Sequence, residues 1–230
     1  MLTVMTAPSI RARIREELTS EIKAVARRQL ATEGANLSLR AIARELGMVS
    51  SAVYRYFPSR DDLLTALIID CYNELGEVAE QAVTSAEGGL LEKWLAYAHA
   101  IRDWALAHPA DYLLIYGTPV PGYQAPPDTV GPASRTTTVI LGMLIQGGFG
   151  AELKDDVPLP SGLDAEMRRA MEAIGVGVPS ALLARGMTAW IQLFGVITFE
   201  LNGRFNNFID ETRREFFDHQ MRVMARHVGM

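Results

Sequence analysis

Polar side chains suited to recognising phosphates and bases are concentrated in one short stretch, "LSLRAIARELGMVSSAVYRYFPSRDDLL" (residues 37–64). Hydroxyl and guanidinium groups donate hydrogen bonds to phosphate oxygens, and small residues let a helix lie deep in a DNA groove. The candidate residues are Ser38, Arg40, Ser50, Ser51, Ala52, Tyr54, Arg55, Tyr56 and Arg60. The chemistry they indicate is the non-covalent recognition of a polyanion.

The helix-capping and helix-breaking residues of this stretch predict two short helices joined by a tight turn. Ser38 can cap a helix over residues 39–46 through its hydroxyl, and Gly47 permits the left-handed turn that a short connection requires. A second helix is predicted over residues 50–57, because Pro58 cannot continue it. Two such helices form a helix-turn-helix, whose second helix can enter the major groove of DNA.

The position of each candidate on these helices predicts its role. Side chains at the N-terminal end of the second helix reach the base edges, and here they are Ser50, Ser51 and Ala52. The other candidates flank this helix or open the first one, where they can bond to phosphates. Tyr54 and Tyr56 could instead be core aromatic residues that do not contact DNA. For Phe57 we prefer this core position.

Charge is distributed unevenly along a chain whose net charge is −5. Residues 1–60 hold 10 Lys/Arg and 5 Asp/Glu, a balance of +5, and residues 61–230 hold 12 and 22, a balance of −10. The segment "RARIR" (residues 11–15) is a basic arm that could lie along the DNA backbone or in a minor groove. A basic segment on an acidic body suits a protein that meets polyanions at one end only, although chance clustering of solvated charges would give the same balance.

Helical periodicity dominates the rest of the chain, so we predict an all-α fold. A first helix has apolar residues at i+4 spacing and stops near Gly34. A long helix over residues 59–85 is apolar on more than one face, which is typical of a helix between two bodies. Further helices are predicted over residues 90–108, 110–117, 133–150, 163–175, 179–205 and 210–228. We expect a three-helix helix-turn-helix domain over residues 1–58 and a larger helical domain over residues 59–230.

The opening stretch resembles the DNA-binding domain of the TetR/AcrR family of bacterial transcription regulators. The family pattern is a cap residue, an Ala-rich helix, Leu-Gly, Tyr-x-x-Phe, a short turn with a basic residue, and two leucines. It is carried here by Ser38, Ala41–Ala43, Leu46–Gly47, Tyr54–Phe57, Arg60 and Leu63–Leu64. The resemblance implies that double-stranded operator DNA is faced by Ser38, Arg40, Ser50, Ser51, Tyr54, Tyr56 and Arg60. Val49 stands where Ser or Thr usually caps the recognition helix, so Ser50 is expected to cap it one residue later.

The C-terminal part resembles a TetR-type ligand-binding subgroup more loosely, through "AHPADYLLIYGTPVPGY" (residues 107–123) and "AWIQLFGVITFELNGRF" (residues 189–205). The subgroup shows Trp followed by His-Gly, whereas Trp190 is followed by Phe194–Gly195, so no role of that His is carried over. The resemblance implies a homodimeric one-component regulator, most often a repressor, that leaves its operator when a small-molecule effector occupies the C-terminal body.

Gly76 lies inside helix 59–85 and could absorb a bend as that helix moves, because glycine weakens a helix interior.

Aromatic residues spread over the acidic body either pack in its core or line an effector cavity. The candidates for the lining are Tyr97, Trp104, Tyr112, Tyr116, Phe149, Trp190 and Phe194. Their chemistry favours a largely apolar or aromatic ligand with one hydrogen-bonding group. Glu200 stands in an apolar stretch and needs a partner, either an arginine or a polar group of the effector.

Two neighbouring stripes run along the predicted helix 179–205. Small residues let backbones approach closely, so we predict one stripe, with part of the last helix, at a homodimer interface. The interface candidates are Leu182, Gly186, Ala189, Leu193, Val196, Phe217, Met221 and Met224. The other stripe is predicted to face the core, and its residues are Leu183, Met187, Trp190, Phe194, Ile197 and Leu201.

Other classes of protein are disfavoured by what the sequence lacks. There is no Gly-x-Ser-x-Gly, no phosphate-cradling glycine loop and no third ligand near His99 and His108, so no catalytic residue, metal or cofactor is expected. The single Cys71 excludes an internal disulfide, and no signal peptide or membrane span is expected, which indicates a cytoplasmic protein. A helical DNA-binding protein without an effector and an all-α enzyme stay open as alternatives.

Overall fold

The computed structural model describes residues 10–33, 37–147 and 157–230. Their regular structure is ten α-helices and one 3₁₀ turn, Pro127–Thr129, with no β-strand in these ranges, so the all-α prediction is confirmed. The helices are α1 (Ile10–Glu33), α2 (Leu39–Glu45), α3 (Ser50–Val53), α4 (Arg60–Ser85), α5 (Leu90–Ala107), α6 (Pro109–Tyr116), α7 (Val130–Gln146), α8 (Ser161–Ala173), α9 (Ser180–Leu201) and α10 (Arg213–Val228).

The fold divides into two compact units, each formed by two stretches of the chain. Unit 1 comprises Met1–Cys71 and Pro109–Thr129, and unit 2 comprises Tyr72–His108 and Val130–Met230. This division falls inside α4, after the boundary that the sequence suggests between residues 58 and 59. Helix periodicity cannot reveal it, because α4 is one uninterrupted helix and α6 returns to unit 1 only through tertiary contacts.

The core of unit 1 is formed by one buried face from each of α1–α4. Its members include Ile22, Val25, Ala26, Ile42, Ala43, Val53, Phe57, Leu63, Leu64 and Leu67. Leu114 of α6 and Val120 and Tyr123 of the following loop pack against the same cluster. The hydroxyl oxygens of Tyr123 and Thr65 are 2.9 Å apart and share a hydrogen bond. Residues 109–129 therefore complete the core beneath the helix-turn-helix.

Two aromatic residues of α5 fix the packing of unit 2. Trp94 Nε1 donates to the Met221 carbonyl of α10 at 2.8 Å, and the Tyr97 hydroxyl donates to the Thr136 carbonyl of α7 at 3.1 Å. Both rings are fully buried, and their centroids are 5.8 Å apart. Because each polar atom has a partner, these side chains combine large apolar burial with a satisfied donor.

A buried ion pair joins α5 to α9. Arg102 Nε and Nη2 donate to the two carboxylate oxygens of Glu200 at 2.8 and 2.6 Å. Each side chain is only 6% exposed. The guanidinium also lies over the Phe217 ring of α10, 5.4 Å from its centroid. The partner of Glu200 is therefore an arginine of the same unit, the first of the two options that its apolar surroundings suggest.

Some helices differ in extent from the predicted ones. α9 ends at Leu201 and α10 begins at Arg213, because Gly203 and Asn207 adopt left-handed φ angles of 66° and 63° and the chain turns repeatedly between the two helices. α7 begins at Val130, earlier than predicted, and the prediction of helix over residues 148–150 lies outside the described residues.

By its length and its mean hydropathy of 1.4 alone, α9 could cross a membrane, although no membrane span was expected from the sequence. The central helix of a folded domain has the same properties. Here α9 packs against α5, α7, α8 and α10 and carries the ion-paired Glu200.

Candidate functional site

The turn between α2 and α3 has the geometry that the sequence predicts. The Ala41 backbone N–H donates to Ser38 Oγ at 3.3 Å, so Ser38 caps α2. Gly47 has a φ of 64°, and a Cβ added there would meet no atom within 4 Å. Glycine is therefore favoured at the turn by its backbone conformation and not by lack of space. The Met48 N–H donates to the Ala43 carbonyl at 2.8 Å and closes the turn.

The recognition helix α3 is shorter than predicted and lacks a side-chain cap. Its N-cap is Val49, without a side-chain hydrogen bond, and Ser50 is its first helical residue, so the expected capping by Ser50 is not observed. Regular helix ends at Val53, although the Phe57 N–H still donates to the Val53 carbonyl at 3.1 Å. Val53 and Phe57 are both buried, which confirms the assignment of Phe57 to the core and anchors the helix from below.

The DNA-binding candidates differ in exposure. Five are exposed, namely Ser38, Arg40, Ser51, Tyr54 and Arg55, and four are half-buried, namely Ser50, Ala52, Tyr56 and Arg60. Tyr54 is 41% exposed, which excludes the core position that was its alternative. Tyr56 combines both roles, because its ring packs against the core of unit 1 while remaining partly accessible.

The basic N-terminal segment is helical and lies close to the recognition turn. Arg11, Arg13 and Arg15 are exposed residues of the first turns of α1, so the arm expected from "RARIR" is part of a helix. The guanidinium of Arg15 lies over the Tyr56 ring, 5.4 Å from its centroid. A cation over an aromatic face is attracted by the ring quadrupole, and this contact joins α1 to the residues that follow α3.

Other basic residues of α1 are used in ion pairs within unit 1. Lys23 contacts Asp70 of α4 at 2.8 Å, Arg27 contacts the buried Asp111 of α6 at 3.3 Å, and Arg28 contacts Glu45 of α2 at 2.7 Å. Their charge is therefore largely neutralised inside the unit.

The arginines near the turn between α2 and α3 are exposed and lack such ion pairs within the described ranges. Within the described ranges, the structure has no ion pair of Arg40, Arg44 or Arg55, and all three are exposed. Arg44 is a candidate that the sequence reading missed. The sequence could have identified Arg44 by its i, i+4 spacing from Arg40, which puts both residues on one face of α2.

Arg60 is the first residue of α4 and lies beside a carboxylate of the same helix. Ser59 Oγ accepts from the Asp62 backbone N–H at 3.1 Å, so Ser59 caps α4. Arg60 Nη1 contacts Asp61 Oδ1 at 3.5 Å and the side chain is partly buried. A carboxylate beside this guanidinium lowers the net charge that Arg60 can offer to a phosphate.

The effector candidates are divided between the two compact units. Tyr97, Trp104, Trp190 and Phe194 belong to unit 2, Tyr112 and Tyr116 belong to unit 1, and Phe149 lies outside the described residues. The Tyr97 hydroxyl is already hydrogen-bonded to a backbone carbonyl. Trp190 is different, since its Nε1 is buried and has no hydrogen-bond partner among the described residues. Its ring lies 5.2 Å from that of Phe194, one turn along α9.

Most of the dimer candidates are enclosed within their own chain. Gly186, Ala189, Leu193, Val196, Phe217 and Met221 are buried, and only Leu182 and Met224 are half-buried. A Cβ on Gly186 would stand 2.7 Å from Leu144 Cδ1, so this glycine allows α9 to approach α7 of the same chain. The stripe was predicted to face a second subunit, but the close approach at Gly186 is to a helix of the same unit.

A different face of α9 is exposed and apolar. Met187, Ile191 and Phe199 are 45%, 59% and 57% exposed, and Gly195 lies between Ile191 and Phe199 at the same four-residue spacing. The prediction that Met187 faces the core is therefore wrong. Beside them is a shallow groove of about 280 Å³, lined by Gln192, Gly195, Val196, Phe199, Phe205 and Phe216. Contiguous apolar surface of this kind is typical of sites that contact a protein, a membrane or a ligand.

Comparisons with known proteins cover both parts of the chain. Residues 22–67 match the family model described as bacterial regulatory proteins, tetR family, and residues 94–224 match the tetracyclin repressor-like, C-terminal domain. The HTH-type transcriptional regulators Mb1846 of Mycobacterium bovis and Rv1816 of Mycobacterium tuberculosis are each 36% identical to this chain over 219 residues, covering 92% of it and 92% of the relative. The crystal structure of SCO4313, described as a regulatory protein, is 35% identical, with a TM-score of 0.78 over 95% of this chain and 98% of the other.

Proposed function

The chain belongs to the TetR family of bacterial regulatory proteins, and we propose that it is a ligand-responsive repressor that binds operator DNA as a homodimer. The observation that carries the proposal is the helix-turn-helix of unit 1, where Val53 and Phe57 anchor α3 in the core while the polar residues around it stay exposed. Chromosomal DNA lies in the cytoplasm, so we place the protein there.

In the proposed complex, α3 lies in the major groove with Ser50, Ser51 and Ala52 at the base edges. Tyr54, Tyr56, Arg55, Arg60, Ser38 and Arg40 contact phosphates around it. Exposure and the absence of an ion pair in the described ranges favour Arg40, Arg44 and Arg55 as the main phosphate contacts. Arg15 lies over the ring of Tyr56 and helps to hold this side chain in place.

For the homodimer, we propose the exposed apolar face of α9 as the surface that meets a second copy of the chain. Met187, Ile191, Gly195 and Phe199 form a row along this helix, and α10 packs beside it. Two copies related by a two-fold axis would bury both rows and form a four-helix interface. Such a dimer presents two copies of α3, and half-sites about 34–36 Å apart would suit it.

For the effector, we propose a largely apolar or aromatic small molecule that accepts a hydrogen bond in unit 2. Trp104, Trp190 and Phe194 supply aromatic surface there. Trp190 Nε1 is a buried donor without a hydrogen-bond partner among the described residues. A buried donor without a partner costs free energy, because it has lost its hydrogen bond to water. An acceptor atom on the effector would provide that partner.

The experiment that tests the DNA-binding proposal is a selection of duplexes from a random pool by the wild-type protein, followed by affinity measurement over a range of salt concentrations. A specific regulator enriches a sequence with two-fold symmetry, and its affinity falls steeply with salt because phosphate contacts release counterions. Recovery of no enriched sequence would contradict the proposal.

A DNA-binding protein without an effector is one of the alternatives that stay open. Thermal unfolding separates the two, because any ligand that binds only the folded state raises the melting temperature. The effector proposal predicts that at least one aromatic compound in a screened library raises the melting temperature and weakens binding to the selected duplex. A Trp190→Phe variant, which loses the indole N–H and keeps an aromatic ring, should bind that compound more weakly.

A further inference from the structure

One arginine of α7 holds the second half of α4. The Arg135 guanidinium donates to both carboxylate oxygens of Glu80, through Nε at 2.8 Å and Nη2 at 2.6 Å. Its Nη1 donates to the backbone carbonyl oxygen of Asn73 at 2.8 Å and to the side-chain oxygen of the same residue at 3.2 Å. Asn73 and Glu80 are two helical turns apart, so the side chain spans one face of α4. We call Asn73, Gly76, Glu80 and Arg135 the arginine clasp.

Gly76 is the residue over which this arginine lies. A Cβ added to Gly76 would stand 2.7 Å from Arg135 Nε, 2.8 Å from its Cβ and 2.9 Å from its Cδ. The Cβ of Arg135 is bonded directly to the backbone of α7, so it cannot move away from an added methyl group unless α7 itself moves. The sequence suggests Gly76 as a hinge, but the structure gives it a steric role. The missing side chain leaves room for Arg135 to reach residues on both sides of Gly76.

The Glu80 carboxylate and the Arg135 guanidinium are both charged near neutral pH. The hydrogen bonds from Arg135 lower the pKa of the Glu80 carboxyl, and burial opposes this only in part. The same bonds raise the pKa of Arg135. Since the two side chains are 30% and 45% exposed, their attraction is weakened by solvent. The geometry, with four hydrogen bonds over a glycine, is what defines the position of one helix on the other.

We propose that Arg135 is a positioning residue for DNA binding, which holds α4 in the position that high affinity requires. α4 is continuous from Arg60, directly after the recognition turn, to Ser85, so a displacement of its clasped half is carried along the helix. The inference rests on the proposed DNA-binding function and adds the residue through which α7 controls it.

The first test is a thermal-unfolding cycle at Gly76 and Arg135. An alanine in a helix interior normally stabilises relative to glycine. We expect Gly76→Ala to lower the melting temperature in the wild-type background, because the new methyl group collides with Arg135, and to raise it in the Arg135→Ala background, where that side chain is gone. A rise in both backgrounds would overturn the inference, since Gly76 would then be an ordinary helix position.

The second test measures affinity for the duplex selected by the wild-type protein. Arg135→Ala and the double variant Gly76→Ala/Arg135→Ala should each bind at least about fivefold more weakly, the lower end of typical coupling between sites. The slope of affinity against salt should be unchanged, because Arg135 is not proposed to touch a phosphate. The double variant separates the two effects, since its stability recovers relative to Gly76→Ala while its DNA affinity stays low.

Two further variants serve as controls for the effect of Arg135→Ala on DNA affinity. Arg168→Ala removes an arginine that pairs with Asp164 on the exposed helix α8, and it should bind DNA as the wild type does. Arg135→Lys keeps the charge but cannot reach Asn73 and both oxygens of Glu80 at once, so an intermediate affinity is expected. Wild-type affinity in Arg135→Ala and in the double variant would refute the inference alone. A wild-type protein that enriches no duplex would refute the proposed function, and the inference with it.

Discussion

Removing the carboxylate of Glu200 should destabilise the protein strongly, because the buried Arg102 then keeps only its longer contact with Asp103, 3.6 Å from Nη1 to Oδ1. The pair is bidentate, at 2.8 and 2.6 Å, and both side chains are 6% exposed. Breaking a buried pair by removing one partner costs about 3–5 kcal/mol. For a protein of this size, about 2–4 °C per kcal/mol implies that Glu200→Ala lowers the melting temperature by roughly 6–20 °C.

The cost has two sources, and a double variant separates them. Part of it is the charge of Arg102, which the half-exposed Asp103 compensates only weakly, and part is lost packing. Replacing both residues by apolar ones of similar length, Arg102→Met with Glu200→Leu, removes the charge and restores contacts between α5 and α9. We expect the double variant to be more stable than either single variant, measured by thermal melting followed by circular dichroism and by urea unfolding.

An exposed ion pair provides the control. Asp164 and Arg168 pair on one face of α8, with side chains 39% and 58% exposed, and Asp164→Ala should change stability by less than about 1 kcal/mol. If Glu200→Ala changes stability as little as this control does, or if the double variant is less stable than both single variants, the burial argument is refuted.

The remaining predictions concern DNA, the dimer, the turn and pH. Arg55→Ala should weaken binding to the selected duplex and reduce the log–log salt slope by about 0.9, whereas Arg28→Ala, whose guanidinium pairs with Glu45, should leave the slope unchanged. Gly195→Glu should yield monomers on size-exclusion chromatography while Gly131→Glu stays dimeric, since an added Cβ has open space at both positions and only Gly195 lies on the proposed interface; a dimeric Gly195→Glu would place the interface elsewhere. Gly47→Ala should cost about 1–2 kcal/mol in urea unfolding because its φ is left-handed, and an unchanged midpoint would contradict the strain argument. Burial opposes ionisation of Asp218, but hydrogen bonds from Arg222 and His99 outweigh it and lower its pKa. The pKa of Glu80 is lowered as well, so both carboxylates add stability above their ordinary pKa values of 3.8 and 4.5 that is lost as the pH falls through the lowered ones. Glu80→Gln should therefore flatten the fall in melting temperature on acidification, and an unaltered curve would count against the clasp as a stabilising pair.

Local signals were enough to predict the helix-turn-helix. Ser38 caps its helix by a hydrogen bond three residues away, and Gly47 is needed for a φ that other residues avoid. Both are properties of neighbouring residues, so they can be read from order along the chain. The shortness of α3 was not predictable in the same way, because Val49 gives it no side-chain cap and Val53 and Phe57 are held by the core beneath.

Helix faces could be recognised from the sequence, but their partners could not. The stripe containing Gly186 indicates that another helix approaches closely, and a neighbour in the same chain satisfies that pattern as well as a second subunit does. The structure identifies the neighbour as Leu144 of α7 and leaves the row of Met187, Ile191 and Phe199 exposed. Likewise, an apolar stretch shows that Glu200 needs a counter-charge, but only the fold brings Arg102 to it.

The sequence by itself determined the fold class, the family and the DNA-reading turn, since these depend on periodicity, caps and short motifs that act over a few residues. The tertiary structure decided the limits of the compact units, the use of residues 109–129 beneath the helix-turn-helix, and the role of Gly76 as the place where Arg135 lies. The physical reason is that these features depend on contacts between residues far apart in the chain, and side-chain types alone do not specify which of the possible partners meet.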